Sequence, residues 1–347
     1  MNPETHLKTK VLIVGKGVSG LILSYLLEKK GIESILLNKE ISASATILAE
    51  TIPPSTLTIL KNIGLLTLFE QCATKTYGYQ SIWNGILNDE DFFSHNPYKY
   101  GLKLNKKQLL LKLEKKIKSR IVNYNQLKNI TSKTLTTTFI KSNNKEYSIE
   151  SNLIIDATGR NRAVLNFLKV PIISYDNNIA FICYLPKTEE SLKYGFFTET
   201  FENGWGTISD LNETTRIMTL YSSKKDTFHK ELKTFSNWHK ILTNTQILKK
   251  HLPIGNFEVT GRLANSSISQ KISGYNWLSI GDAAMAFDPI SSHGISNAIF
   301  CALKASESIN DYINNESLES FDLYQNKLKK TFNEYNQIKN KLCIERN

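Results

Sequence analysis

The sequence is poor in the residues that carry covalent and metal chemistry. Its 347 residues include four cysteines, Cys72, Cys183, Cys301 and Cys343, and no two are close enough for a CxxC metal or redox pair. Four scattered thiols suit a reduced, mostly buried set in a cytoplasmic protein rather than a disulfide framework. The six histidines show neither HExxH nor paired spacing, so no metal site is expected. No Ser-His-Asp or Cys-His arrangement has recognisable spacing, and no covalent protein nucleophile is expected. No apolar run reaches the roughly 18 residues of a spanning helix. The start, Met1-Asn2-Pro3-Glu4, lacks the basic region and apolar core of a secretory signal. Low-complexity linkers and internal repeats are also missing.

Acidic residues are outnumbered 32 to 43, a net charge of +11. The lysines are dispersed (Lys103, Lys106, Lys107, Lys112, Lys115, Lys116 and Lys118; later Lys327, Lys329 and Lys330), with little aromatic interleaving. That pattern is a solvated surface more than a nucleic-acid footprint, and no nucleic-acid partner is expected. It mildly favours an acidic carrier or protein substrate.

What is present is an α/β pattern long enough for about two domains. Residues 10–14 (KVLIV) are a buried strand, Leu21 to Leu27 a helix closed by Gly31, and residues 34–37 a second strand, which together make a βαβ unit. One or two helices follow at 54–72, an amphipathic helix at 105–118, and short strands with polar turns such as Ser142-Asn143-Asn144 between 119 and 150. Residues 152–155 are again a buried strand. Strand-like alternation from 172 to 222 predicts a second, mostly antiparallel sheet. Helices are expected at about 225–251, strands at 257–264 and 277–280, and helices at 293–313 and 318–342. The fold class is therefore a Rossmann-like dinucleotide-binding domain, three-layered with a mostly parallel sheet, carrying an inserted antiparallel-sheet substrate domain and C-terminal helices. The expected division assigns 8–75, 100–170 and 255–315 to the first domain, 76–99 and 171–254 to the sheet domain, and 316–347 to a C-terminal helix.

Three motifs carry the chemistry. Gly15-Lys16-Gly17-Val18-Ser19-Gly20 lies between a buried strand and a helix, where a GxGxxG turn is informative. Gly15 permits the tight turn, Gly17 lets backbone approach a pyrophosphate, Gly20 lets helix pack on strand, and the helix N-terminus with Val18 and Ser19 faces the phosphate charge. The acidic residue expected at the end of the second strand is replaced by Asn38, beside Lys39, with Glu40 a substitute from the loop. An amide still hydrogen-bonds a ribose hydroxyl, without charge assistance. The second motif, Asp156-Ala157-Thr158-Gly159-Arg160, ends a buried strand in a carboxylate and a small-residue turn. The third, Gly281-Asp282 through Phe287-Asp288-Pro289 to Ser291-Ser292-His293-Gly294-Ile295, delivers a carboxylate suited to ribityl hydroxyls. Its helix start can stabilise negative charge on a reduced isoalloxazine.

In this order the motifs resemble the class A FAD-dependent monooxygenases and their relatives, the flavin-dependent halogenases and geranylgeranyl reductases. Ala49-Glu50-Thr51-Ile52-Pro53-Pro54, Gly64-Leu65-Leu66, Tyr77-Gly78, Trp83 and the Asp288 to Ile295 run are similar to one subgroup, the flavin monooxygenases that mature tryptophan-derived quinone cofactors. The resemblance spans roughly 10–345. It implies bound FAD held by Gly15, Gly17, Val18, Ser19, Gly20, Asn38, Lys39, Asp156, Gly159, Gly281, Asp282, Pro289, Gly294 and Ile295. It also implies a flavin-contacting basic residue, here Lys106 where the family usually has arginine. It further implies hydroxylation of an electron-rich aromatic group, of indole or phenol type and free, peptide- or carrier-bound, through a flavin C4a-hydroperoxide. The reductant would be NAD(P)H or reduced flavin from a partner reductase. The alternatives are halogenation and reduction of an alkene. A halogenase needs a catalytic lysine, whose place falls at or near Gly78, with Lys75 out of register. His293 and Glu50 are the candidate catalytic residues, and Tyr79, Trp83, Trp205 and Phe287 the candidate substrate pocket. Asp288 is expected to shape the turn before Pro289.

Overall fold

The computed structural model describes residues 5–40, 48–95, 97–132, 135–142, 145–224 and 227–344, with the side chains of 132 and 341–344 left aside. Asn143, Asn144 and the tail residues Glu345 and Arg346 lie outside it.

The buried run at the N-terminus extends into a ten-residue strand, Thr5–Val14. Val11, Leu12, Ile13 and Val14 are fully buried, as a strand covered on both faces requires. It is the middle of a parallel sheet. Lys145–Asp156 and then Trp277–Ser279 lie on one side of it, Ser34–Lys39 and then Arg120–Tyr124 on the other. Successive residues feed two cores. Val11 and Ile13 pack against the helices Val18–Lys29 and Gly294–Asn315, while Leu12 and Val14 pack with Val122, Ile140, Ile149 and Val164. The second face is covered largely by the antiparallel strands Gln126–Ser132 and Thr136–Ser142.

The helix Val18–Lys29 is buried at every position from Val18 to Leu27, not along one stripe as an amphipathic helix would be. Its neighbours explain the difference: the sheet lies beneath it and the helix Gly294–Asn315 packs alongside. Each of its buried leucines and isoleucines stabilises the fold by roughly 1.5–3 kcal/mol. Gly31, at φ +70°, turns the chain out, and Ile32 N–H donates back to Leu27 O.

The second sheet has the order Val259–Leu263, Asn178–Pro186, Thr215–Ser223, Gly204–Asp210, Phe196–Phe201, Gly78–Trp83, Ile86–Asp91. All its pairs are antiparallel except Phe196–Phe201 with Gly78–Trp83. The expected division of the chain shifts at two strands: Ile172–Ser174, assigned from sequence to the sheet domain, pairs with Ser267–Ser269 in a separate small sheet. Val259–Leu263, assigned from sequence to the dinucleotide domain, pairs with Asn178–Pro186 at the edge of the second sheet. The expected helical stretch at 225–251 contains one short α-helix, Phe235–Ile241, between the 3-10 turns Phe228–Lys233 and Leu248–His251. These cover the outer face of the sheet through Trp238, Phe235 and Leu232.

A small sheet, Glu50–Ile52 with Gly101–Leu104 and Ala73–Thr76, joins the two bodies. The last helix, Glu319–Ile344, buries Phe321, Tyr324, Leu328 and Phe332 in the main core.

Candidate functional site

The parallel strands Thr5–Val14, Ser34–Lys39, Arg120–Tyr124 and Lys145–Asp156 end at one edge, where strand order diverges on either side of Thr5–Val14. Crevices at such switch points are where open α/β sheets bind ligands. A cleft of about 950 Å³ opens there. Its walls bring together Gly15, Gly17, Val18, Ser19, Asn38, Lys39, Lys106, Gly159, Asp282, Gly294 and Ile295, residues 280 positions apart at the extremes. Of the expected cofactor set, Gly20, Asp156, Gly281 and Pro289 do not line this cleft.

The three glycines of the first motif behave differently. Gly15 has φ +121°, and a Cβ there would fall 2.3 Å from Ala157 O. A Cβ on Gly20 would fall 2.0 Å from Gly15 O, so this residue serves helix-to-strand packing. Gly17 is the N-cap of Val18–Lys29 with no side-chain cap, and a Cβ there meets no atom within 4 Å. The helix therefore presents uncapped N–H groups to open cleft, a ready anion site. Gly159 and Gly294 are equally open. A cleft lined by both the uncapped amides after Gly17 and the helix start at Gly294 fits a dinucleotide such as FAD. Its volume is at the upper end of the roughly 300–1,000 Å³ usual for ligand sites.

Asp156 belongs to the framework. It is fully buried, and its carboxylate accepts from Thr158 N (2.9 Å), Thr158 Oγ1 (2.7 Å) and Leu165 N (2.9 Å). Burial pushes its carboxyl up, against these hydrogen bonds. Its task is to shape the turn into Gly159, whose backbone does face the cleft. Gly281, at φ +57°, packs against Ser19 and turns Asp282 inward. Glu40 bonds Asn125 Nδ2 at 2.9 Å, and Asn38 Nδ2 donates to Asn123 Oδ1 at 2.8 Å.

A second, smaller chamber of about 210 Å³ adjoins the cleft, and Glu50, Asp282, Gly294 and Ile295 line both. Its floor is the inner face of the antiparallel sheet. Registered neighbours Ala180, Tyr221 and Trp205 form one row, and Ile182, Thr219 and Thr207 the next. Trp205 stacks on Tyr221 with ring centroids 3.8 Å apart and planes 12° off parallel. Burial, reinforced by Asp288 and opposed by the neighbouring Thr207 and Thr219 hydroxyls, pushes the Tyr221 phenol well above the usual range. Phe196, Phe287, Ile217 and Arg160 complete much of the wall.

Asp282 stands between the two spaces. Burial raises its carboxyl above the ordinary carboxylate range, and Arg160 and then Lys106 work against that shift. The Arg160 guanidinium lies 3.5 Å from Asp282 and donates to Asn265 O (2.5 Å) and Phe287 O (2.8 Å). Lys106 reaches Glu50 at 3.0 Å.

Among the candidate catalytic residues, Glu50 lines both spaces. His293 lines neither: its side chain is exposed and turns back on Ser291 O, with its ring 6.4 Å from that of Phe287. Of the candidate pocket residues, only Phe287 lines the chamber. Trp205 lies behind Tyr221, Trp83 packs at the edge of the same apolar cluster, and Tyr79 sits farther along the sheet against Phe92 and Phe196. Arg160 closes the second sequence motif, and neither it nor Tyr221, Thr207 and Thr219 is given a role by the sequence. Each looks there like an ordinary strand or turn residue, and only strand pairing brings them together.

The FAD binding domain family matches residues 8–329. The putative FAD-dependent oxidoreductase LodB of Marinomonas mediterranea is 20% identical over 207 residues, 59% of this chain and 55% of its own. The chain thus matches about half the length of that curated relative. The flavin-dependent halogenase CmlS superposes with a TM-score of 0.80 at 19% identity, covering 95% of this chain and 63% of its own. The p-nitrophenol 4-monooxygenase PnpA of Pseudomonas putida gives 0.79 at 16%, covering 95% and 87%. The peptidyl tryptophan dihydroxylase QhpG gives 0.73 at 16%, covering 96% and 75%. At such identities these structures establish the fold, which is the one expected from sequence. Among the described residues no helix is long and apolar enough to cross a membrane. The matched sequence, which spans most of the chain, places this protein in the FAD binding domain family.

Proposed function

We propose that the protein is an FAD-dependent monooxygenase that hydroxylates a small electron-rich aromatic ring of phenol or indole type. The observation that carries this reading is the chamber. It is aromatic-walled, holds about 210 Å³ and shares the wall Glu50, Asp282, Gly294 and Ile295 with the cofactor cleft. A cavity of roughly 150 Å³ takes up benzene, so one or two fused rings fit here and a polyprenyl chain does not.

FAD, when bound, would supply two-electron redox chemistry between a reductant, NAD(P)H or reduced flavin from a partner reductase, and dioxygen. The chain's residues do the rest. The uncapped amides after Gly17 hold the pyrophosphate, Asp282 takes ribityl hydroxyls, and the helix start at Gly294 and Ile295 stabilises negative charge at the ring edge. Phe287, Phe196 and the Trp205–Tyr221 stack exclude water and set the plane of the substrate ring. The hydroxyls of Tyr221, Thr207 and Thr219 bond its polar substituent. Glu50, held by Lys106, is placed to accept the proton that leaves the ring as oxygen is added.

A catalytic lysine would favour halogenation, but the chamber wall carries none among the described residues. Gly78 has no room for a side chain, since its Cβ would lie 2.3 Å from Glu90 O, and the Lys75 ammonium lies over the Tyr100 ring.

The test is to load the protein with FAD, reduce it, and mix it with isotopically labelled dioxygen and a panel of small phenols and indoles, with and without bromide. One labelled oxygen in a product supports hydroxylation. Hydrogen peroxide with unlabelled substrate throughout overturns it, and a bromide-dependent product moves the assignment to halogenation.

A further inference from the structure

We propose that Lys339, in the last helix, is a positioning residue for the loop that forms the shared wall of the two cavities. This rests on the reading of those cavities given above. The loop runs from Phe287 to Ile295. Phe287, Asp288, Pro289 and Ser292 line the chamber, and Gly294 and Ile295 line both spaces. Within it Ser292 is a non-glycine residue at φ +51°, a conformation that persists only when its surroundings enforce it.

One face of the helix Glu319–Ile344 supplies that enforcement through Phe332, Tyr335 and Lys339. Tyr335 packs edge-on against Phe287 with centroids 4.6 Å apart, and its hydroxyl accepts from Asp288 N–H at 2.9 Å. The Lys339 ammonium lies 3.2 Å from Asp288 Oδ2, pairs with Asp176 Oδ2 and donates to Ser266 Oγ at 2.8 Å. Asp288 is 3% exposed. Its other bonds come from Ile290 N (3.1 Å) and Asn178 Nδ2 (2.8 Å). Asp176 in turn accepts from the backbone of Asn178 and Ser266. One ammonium therefore bridges two sequestered carboxylates, one on the loop beside the two cavities and one, Asp176, in the turn just before the strand whose Ala180 and Ile182 line the chamber. Removing it leaves two like charges facing each other and frees the Phe287 to Ile295 loop from its ionic tie to the last helix. The last helix is in this way part of the site, although none of its described side chains lines either cavity.

The test uses the full-length FAD-loaded protein and its Lys339→Met and Lys339→Arg variants. Amide hydrogen exchange of peptides covering 286–296, and visible circular dichroism of the bound flavin, are the readouts. Lys339→Met should speed exchange in that segment at least ten-fold and change the flavin signal, while peptides covering 10–20 exchange as in the parent. Lys339→Arg should restore most of both. Parent-like exchange and flavin signal in Lys339→Met would overturn the proposal. So would a uniform rise across all peptides, which marks a stabilising contact only. If Lys339→Met does not fold, Tyr335→Phe removes the acceptor of Asp288 N–H and leaves the ion pairs. Faster exchange confined to 286–296 then supports the clamp, and no change there overturns it. Neither readout depends on oxygen transfer. Failure to label any aromatic substrate would sink the monooxygenase reading and leave this result standing, and the reverse also holds.

Discussion

Glu50 and Lys106 form an ion pair 3.0 Å long at the partition between the cofactor cleft and the chamber. They meet because Glu50 is registered opposite Leu104 across two antiparallel strands, two residues before the helix that starts at Lys106. Both side chains are partly exposed, so the pair itself contributes about 1 kcal/mol or less. A double-mutant cycle with Glu50→Gln and Lys106→Met, read by chemical denaturation of the protein without FAD, should give a coupling energy of that size. Lys106→Met alone should weaken FAD binding in a titration followed by flavin fluorescence, since it leaves a carboxylate facing the cleft with no cation beside it.

The glycine motif separates binding from folding. Gly17→Ala should fold as the parent does, because its Cβ meets nothing, and should bind FAD about ten-fold more weakly, about 1.4 kcal/mol. Gly15→Ala should instead lower the melting temperature, losing about 2–4 kcal/mol, because it combines a strained φ with overlap on Ala157 O. Equal effects of the two substitutions on FAD affinity and on melting would contradict this division.

Asp282 makes the protein without FAD sensitive to pH in a defined direction. Its folded-state carboxyl is raised, first by burial. Folding therefore favours the protonated form. No penalty is present below the ordinary carboxylate pKa of about 3.9; it grows as pH rises through the folded-state value and is then constant. Asp282→Asn should raise the melting temperature at neutral pH, and the advantage should vanish in acid. The same substitution should weaken FAD binding, and a melting temperature below the parent's at pH 7 would refute the argument.

The Trp205–Tyr221 stack should matter for both shape and recognition. Trp205→Ala removes a nearly buried indole, should cost about 3–5 kcal/mol, and should let Tyr221 reorient. Tyr221→Phe keeps the stack and should barely change the melting temperature. It should weaken binding of a phenol, measured by flavin absorbance perturbation, more than binding of the same ring without its hydroxyl.

Much of this was set by local sequence. Four consecutive apolar residues at the start of the βαβ unit, Val11 to Val14, are satisfied by a buried strand once a glycine turn and an apolar helix follow them. Gly15, Gly17 and Gly20 then dictate backbone shape, because the missing side chain is itself the signal. The helix starts at Lys106 and Gly294 and the strand ending at Asp156 were legible for the same reason: caps, turns and apolar runs act within a few residues. Tertiary structure alone decided the rest. Asp156, expected at the cofactor, is consumed by Thr158 and Leu165. His293 faces solvent, and Val259–Leu263 joins the second sheet. Tyr221, Arg160 and Lys339 acquire their places from pairings across 16, 122 and 51 residues, with Trp205, Asp282 and Asp288 respectively. Such contacts depend on strand register and on which faces bury together, free energies summed over whole sheets and helices, and no short stretch of sequence contains that sum.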